Sequence, residues 1–209
     1  MNYKLSLYHN IEKTFSVNSV VQDILKEENV KSPMDIMRLS EKFYTETRSI
    51  FLGENQGEVY NITLYSYNKN LSFDGEFLKS VEYVLDEEWY KDIIETKNYY
   101  NCFYNTQSTD RKNLVMLIQP IVTTNLAEFE KPLGIIQISL LAERVFKPDS
   151  DMLWEKGMEV LILDKKQNLV YGSKENAAFL KDMLVEDIRS GVMESKKTHK
   201  IMVYKSLSP

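Results

Sequence analysis

Three acidic residues in succession, Asp86, Glu87 and Glu88, lead directly into Trp89 and Tyr90. Carboxylates this close can divide general acid and base roles, or together hold a hard cation. The same residues at the start of a helix complement the positive end of its dipole, and that role requires no substrate. The helix role is the plainer reading, so no catalytic residue and no metal ligand is assigned to the run. Trp89 and Tyr90 pose a similar choice, because an aromatic at helical spacing either enters a core or walls a binding site. Trp89 is the candidate for ligand contact and Tyr90 for the core.

Other chemistry is sparse. Seven glycines form neither a GxGxxG nor a GxxxxGK pattern, which argues against a phosphate-cradling loop and its nucleotide cofactor. His9 and His199 lie at opposite ends of the chain, too far apart in sequence for a two-histidine metal pair at helical spacing. Cys102 is the sole cysteine, so no internal disulfide forms; a thiol nucleophile would need a base, and nothing orients either histidine toward it. A net charge of -5 with scattered lysines and arginines provides no basic patch for nucleic acid. Thirteen tyrosines point instead to amphipathic walls that stack on a sugar face or a cation and still present a hydroxyl. Tyr65, Tyr67, Tyr99, Tyr100 and Tyr104 fall on or beside the expected sheet.

The elements that must hold these residues follow from periodicity. Tyr8, Ile11, Phe15, Val21 and Leu25 recur at steps near three and four, which predicts one amphipathic helix over residues 2–28, about 40 Å long at 1.5 Å per residue. Ser32, Pro33 and Asp35 then supply a cap, a first-turn proline and a first-turn acid for a second helix over 33–52. Gly53 and Gly57 close it. Residues 59–67 are rich in β-branched and aromatic types and predict a strand, with a turn at 68–70. A short helix near 87–95 and strands at 99–105, 114–122 and 132–141 complete an antiparallel sheet with helices packed on it. In the last of these strands, alternation sets Gln137 and Ser139 on one face with Ile135, opposite Ile136, Ile138 and Leu140. A polar pair on a face walled by aromatics is what a small polar ligand requires.

The stretch 147–156 is the expected domain boundary. Beyond it a hairpin of 159–164 with 169–171, a helix within 175–189 and a strand over 199–205 are expected. That final alternating run has no closing element, which predicts an incomplete second domain. With 43% hydrophobic and 27% charged residues the chain has an ordinary globular composition. No window approaches the ~20 apolar residues of a membrane span.

The order of these elements resembles the double-Cache extracellular sensor domains of bacterial membrane receptors, most closely those of YesM-type sensor histidine kinases. The resemblance is carried by the long first helix, by Ile62 to Asn68 (ITLYSYN), Glu88 to Lys91 (EWYK), Gln119 to Val122 (QPIV), Leu133 to Ser139 (LGIIQIS) and Val160 to Asp164 (VLILD). It implies an α+β architecture: a signalling and dimerisation helix over 1–30, then tandem PAS-like Cache domains, a membrane-distal ligand-binding one over 31–150 and an incomplete membrane-proximal one over 151–209. It also implies a parent protein that spans the membrane, with a cytoplasmic protein-histidine kinase and this segment outside the cell. Amino-acid-binding members of the wider family carry an Arg-x-Trp-Tyr motif and two further aspartates. This chain keeps Trp89, Tyr90 and, by position, Tyr104, but has Glu87 in place of the arginine and Thr106 and Ser139 in place of the aspartates.

The resulting expectation is a sensing module, itself without enzymatic activity or cofactor. Trp89, Tyr104, Tyr65, Gln137, Ser139 and Glu87 would contact a small polar ligand, better a neutral polyhydroxy compound than an α-amino acid, or the module would receive a solute-loaded binding protein. A homodimer through the first helix is the expected assembly. The alternatives are the same fold on a chemoreceptor or a cyclic-dinucleotide enzyme, a surface module that binds protein, and a hydrolase using the carboxylates of residues 86–88.

Overall fold

A computed structural model of the full chain describes residues 2–30, 32–51, 57–71, 77–97, 103–108, 113–125, 131–146, 161–163, 169–172, 190–195 and 200–205. The chain divides into two compact units, Tyr3–Leu153 and Trp154–Pro209. The class is α+β, as expected.

The predicted first helix is interrupted. Helix α1 spans Asn2–Val17 and α2 spans Ser19–Lys26, with Asn18 between them in an extended conformation (φ -68°, ψ 125°). Asparagine offers the backbone a competing hydrogen bond. Here its side-chain oxygen accepts the Val21 N–H at 3.1 Å and restarts the helix as an N-cap. The apolar stripe survives the break, for Tyr8, Phe15, Val21, Ile24 and Leu25 are all buried. Helix α3, Pro33–Phe51, starts as its sequence requires. Ser32 Oγ accepts the Asp35 N–H at 3.3 Å, and Asp35 Oδ2 accepts the Ser32 N–H at 3.0 Å, a reciprocal capping box.

Unit one is built on a five-stranded sheet. Strands β1 (Val59–Ser66), β2 (Leu78–Ser80), β3 (Phe103–Ser108), β4 (Asn113–Val122) and β5 (Pro132–Leu141) lie in the order β2-β1-β5-β4-β3. The sheet is mixed, not wholly antiparallel, because β2 runs parallel to β1. A parallel pair needs a crossover of about a dozen residues, and the segment between Ser66 and Leu78 supplies one where a tight hairpin could not. The turn expected after β1 is a 3-10 turn, Lys69–Leu71. It is tied back by the Asn68 side-chain amide, which donates to the carbonyls of Leu25 and Glu27 at 3.4 and 3.0 Å.

Register divides the sheet into two faces. Ile62, Ile138 and Leu117 are cross-strand partners, as are Leu64 and Ile136. They share their face with Gly134, where α2 comes so close that an added Cβ would lie 3.1 Å from a Leu25 methyl and would collide with the Tyr65 carbonyl oxygen. Gln22 fastens this side: its Nε2 donates to the Val122 carbonyl at 3.2 Å, and its Oε1 accepts from the Thr124 N–H and hydroxyl at 3.2 and 3.1 Å. Farther along, Phe43 of α3 stacks on Phe77 (centroids 5.1 Å, 25°) and tilts against Phe15 of α1. Helix α4, Glu88–Thr96, covers the other face with Trp89, Tyr90 and Ile93. It ends on Lys97 in the left-handed region, φ 50°, and a short helix α5, Ala142–Val145, follows β5.

In unit two, β6 (Ile162–Leu163) pairs antiparallel with β7 (Leu169–Tyr171), the expected hairpin in shorter form. Strand β9 (Lys200–Lys205) pairs antiparallel with β8 (Ser190–Ser195), a strand that no alternation had marked. The helix expected within 175–189 and the start of the expected strand at 99–102 lie outside the described residues.

Candidate functional site

On the sheet face toward α4, strands β1 and β5 present a compact set of polar side chains beside the apolar cluster that α4 covers. Asn61 is the register partner of Ser139, Thr63 of Gln137, and Tyr65 of Ile135. The Tyr65 hydroxyl donates to Gln137 Oε1 at 3.5 Å, Gln137 Nε2 donates to Ser139 Oγ at 3.1 Å, and Asn61 Nδ2 donates to Thr63 Oγ1 at 3.2 Å. Thr63 and Ser139 are 3% and 5% exposed, Gln137 is half-buried and Asn61 is exposed, so each cross-strand pair joins one buried member to one more open. Met116 and Ile118 of β4, register partners of Ser139 and Gln137, flank it.

The aromatic wall is present and tightly packed. Trp89 tilts against Tyr65 (6.2 Å, 50°) and stands edge-on to Tyr90 (6.1 Å, 85°), within a cluster that includes Ile93, Met116, Ile118 and Ile135. Trp89 is 5% exposed, so its ring stabilises α4 on the sheet, and it is linked to the polar row through Tyr65. Tyr90 takes the core position foreseen for it.

Among the described residues, Glu87 and Lys79 lie beside Tyr65, and their signs oppose. Glu87 occupies the N-cap of α4 without a side-chain capping bond. Burial raises the Tyr65 pKa, and the Glu87 carboxylate adds to the rise by disfavouring a second negative charge beside it. Lys79 of β2, half-buried, is the register partner of Tyr65 on the opposite side from Ile135.

Of the six residues chosen from sequence, the structure brings five together: Trp89, Tyr65, Gln137, Ser139 and Glu87. Tyr104 pairs with Leu117, whose cross-strand row continues to Ile138, while Phe103 and Asn105 are the β3 positions in register with Ile118 and Met116. The Tyr104 side chain is outside those described. Sequence reasoning overlooked Asn61, Thr63 and Lys79. The first two were readable, since Asn61, Thr63 and Tyr65 alternate with Ile62 and Leu64 as Gln137 and Ser139 do with their neighbours; Lys79 was not, because only the parallel register of β2 brings it here.

The carboxylate run itself is exposed at all three positions. The Asp86 carbonyl accepts from Lys91 Nζ at 3.0 Å, and Glu88 lies in the first turn of α4, where it complements the helix dipole. His9 is on α1, its Nδ1 4.0 Å from buried Glu12, beyond hydrogen-bond range. Burial and then Lys13 hold its pKa below the usual value. Cys102 and His199 lie outside the described residues.

No protein-family model matches this chain, and no curated protein does. Among solved structures, it is similar to the ligand-binding domain of the amino acid chemoreceptor PctC of Pseudomonas aeruginosa PAO1, in complex with GABA. The TM-score is 0.43 at 10% sequence identity, over 93% of this chain and 87% of that one. At that level the likeness says nothing about individual residues or ligand.

Proposed function

We propose that this chain is the extracellular ligand-sensing part of a bacterial membrane receptor, a Cache-type module of a sensor histidine kinase, and that the face beneath α4 binds a small neutral polyhydroxy compound. The observation that carries this reading is the hydrogen-bonded row of Asn61, Thr63, Gln137 and Ser139, set on a sheet face that folding alone would fill with apolar side chains. Burying polar groups costs free energy unless they are bonded, and two apolar residues would pack the same positions without that requirement. All four side chains are uncharged, which suits a neutral ligand better than a carboxylate or an ammonium.

Binding moves a receptor between two arrangements only by its differential affinity for them. The sheet offers a route for this: β5 carries Gln137 on the ligand side and packs against α2 on the other, where Gln22 clasps the end of β4. The segment carries out no chemistry of its own, and phosphoryl transfer belongs to a cytoplasmic part of the parent chain. A dimer through α1, and delivery of the solute by a binding protein, are consistent additions to the same proposal.

The test is a thermal-shift screen of the intact chain against neutral sugars and polyols, with charged amino acids as the counter-set. A neutral ligand at about 100 times its Kd stabilises the folded state by about 2.7 kcal/mol, a readily visible shift. The shift should disappear in Gln137→Leu. Stabilisation by charged amino acids with no response to any neutral compound would overturn the reading.

A further inference from the structure

The donor and acceptor inventory of the polar row identifies more than a general preference for polar ligands. Thr63 Oγ1 accepts from Asn61, and Ser139 Oγ accepts from Gln137. Each hydroxyl therefore uses its acceptor side within the row and retains its O–H as a donor. Gln137 uses one N–H toward Ser139 and its oxygen toward Tyr65, which leaves its second N–H, and Asn61 likewise retains one N–H and its side-chain oxygen. The free capacity is thus rich in donors. Its geometry is that of the sheet: residues directly opposite on antiparallel strands have Cβ atoms about 5 Å apart, and alternate residues on one strand are about 7 Å apart. Donors on Thr63 and Gln137 can converge on two oxygens held by adjoining carbons.

We infer that Asn61 and Thr63 of β1 are specificity-determining residues, which with Gln137 and Ser139 donate to neighbouring oxygens of a vicinal diol. This rests on the neutral-ligand reading above and goes beyond it by naming the residues on β1 and the pattern of ligand oxygens. Asn61, exposed, and Gln137, half-buried, are the members a ligand meets first. Thr63, deeper, selects among those that enter.

The experiment compares the intact chain with Thr63→Val, Thr63→Ser and Asn61→Ala, by calorimetric titration against aldohexoses, aldopentoses, hexitols and their deoxy analogues. For a sugar that binds wild type, Thr63→Val should weaken binding about tenfold, as loss of a buried donor does, while Thr63→Ser restores it. A deoxy analogue lacking the oxygen that Thr63 binds should bind wild type and Thr63→Val alike. Full-strength sugar binding by both Thr63→Val and Asn61→Ala, with binding lost in Gln137→Leu, overturns the inference and leaves the neutral-ligand reading intact. No binding of any sugar or polyol to wild type overturns both. Thr63→Ser guards against misfolding as an explanation, since it keeps the hydroxyl in nearly the same volume.

Discussion

The two faces of the five-stranded sheet are made by the same strands and serve different ends. Toward α2, the central strands present Ile62, Leu64, Leu117, Ile136, Ile138 and Leu140, all buried, and the helices close on them with Leu25 and the Gln22 clasp. Toward α4, the same strands present an aromatic cluster and, beside it, Asn61, Thr63, Gln137 and Ser139. Each fully buried leucine or isoleucine of the first face contributes about 1.5–3 kcal/mol. A neutral hydrogen bond of the second nets only about 0.5–1.5 kcal/mol, so stability does not account for the polar row. One face holds the unit together, while the other keeps part of its area for recognition.

That contrast breaks most sharply at Phe43 and Gln137. Phe43 is 1% exposed between Phe15 and Phe77, and Phe43→Ala should lower unfolding stability by about 3–5 kcal/mol in urea titrations. Gln137→Leu should change it by about 1 kcal/mol or less in either direction, because it removes one partner each from Tyr65 and Ser139 and adds apolar volume. A loss at Gln137 equal to that at Phe43 would show that the row is structural after all.

Gly134, on the α2 face but packed against the Tyr65 backbone, tests how closely the two faces are coupled. A methyl group there meets the Tyr65 carbonyl oxygen on one side and Leu25 on the other. Gly134→Ala should therefore cost about 1–3 kcal/mol by overpacking. It should also displace Tyr65 and weaken ligand response beyond what the stability change alone produces. A variant that is destabilised but binds unaltered would mean the two faces act independently.

What could be read from the sequence and what could not follow the same division. Short-range chemistry was readable: Ser32 and Asp35 announce their capping box, and the alternation in residues 132–141 placed Gln137 and Ser139 together before any fold was known. Long-range pairing was not. The parallel register that sets Lys79 beside Tyr65 depends on how an edge strand docks, and β8 shows no alternation of its own. The break at Asn18 was hidden differently, because the apolar stripe runs through it while one side-chain hydrogen bond outweighs the helical period. The aromatic wall was foreseen, but its packing was not, since a tryptophan beside a tyrosine reads the same whether the space between them is filled or open.

The smallest expected effect is also the most local test of the site's electrostatics. Tyr8, on the α1 side, and Tyr65, on the α4 side, both have raised pKa values, chiefly from burial, Tyr8 the more so. Tyr8 donates to Glu58 at 2.8 Å, whereas Tyr65 feels Glu87 only through space. An unfolded tyrosine ionises near about pH 10. Above that pH the unfolded chain has lost a proton that the folded chain still binds, so stability is complete below about pH 10 and falls as pH rises toward the folded values. Tyr8→Phe should remove the larger part of this alkaline loss and Tyr65→Phe a smaller part. Glu87→Gln should remove least, because burial outweighs the carboxylate at Tyr65. Urea midpoints measured on either side of about pH 10 for Glu87→Gln, Tyr65→Phe and the double variant isolate the coupling between them. If the two changes are strictly additive, the Glu87 carboxylate does not face the Tyr65 hydroxyl, and Glu87 drops from the site while the uncharged row stands.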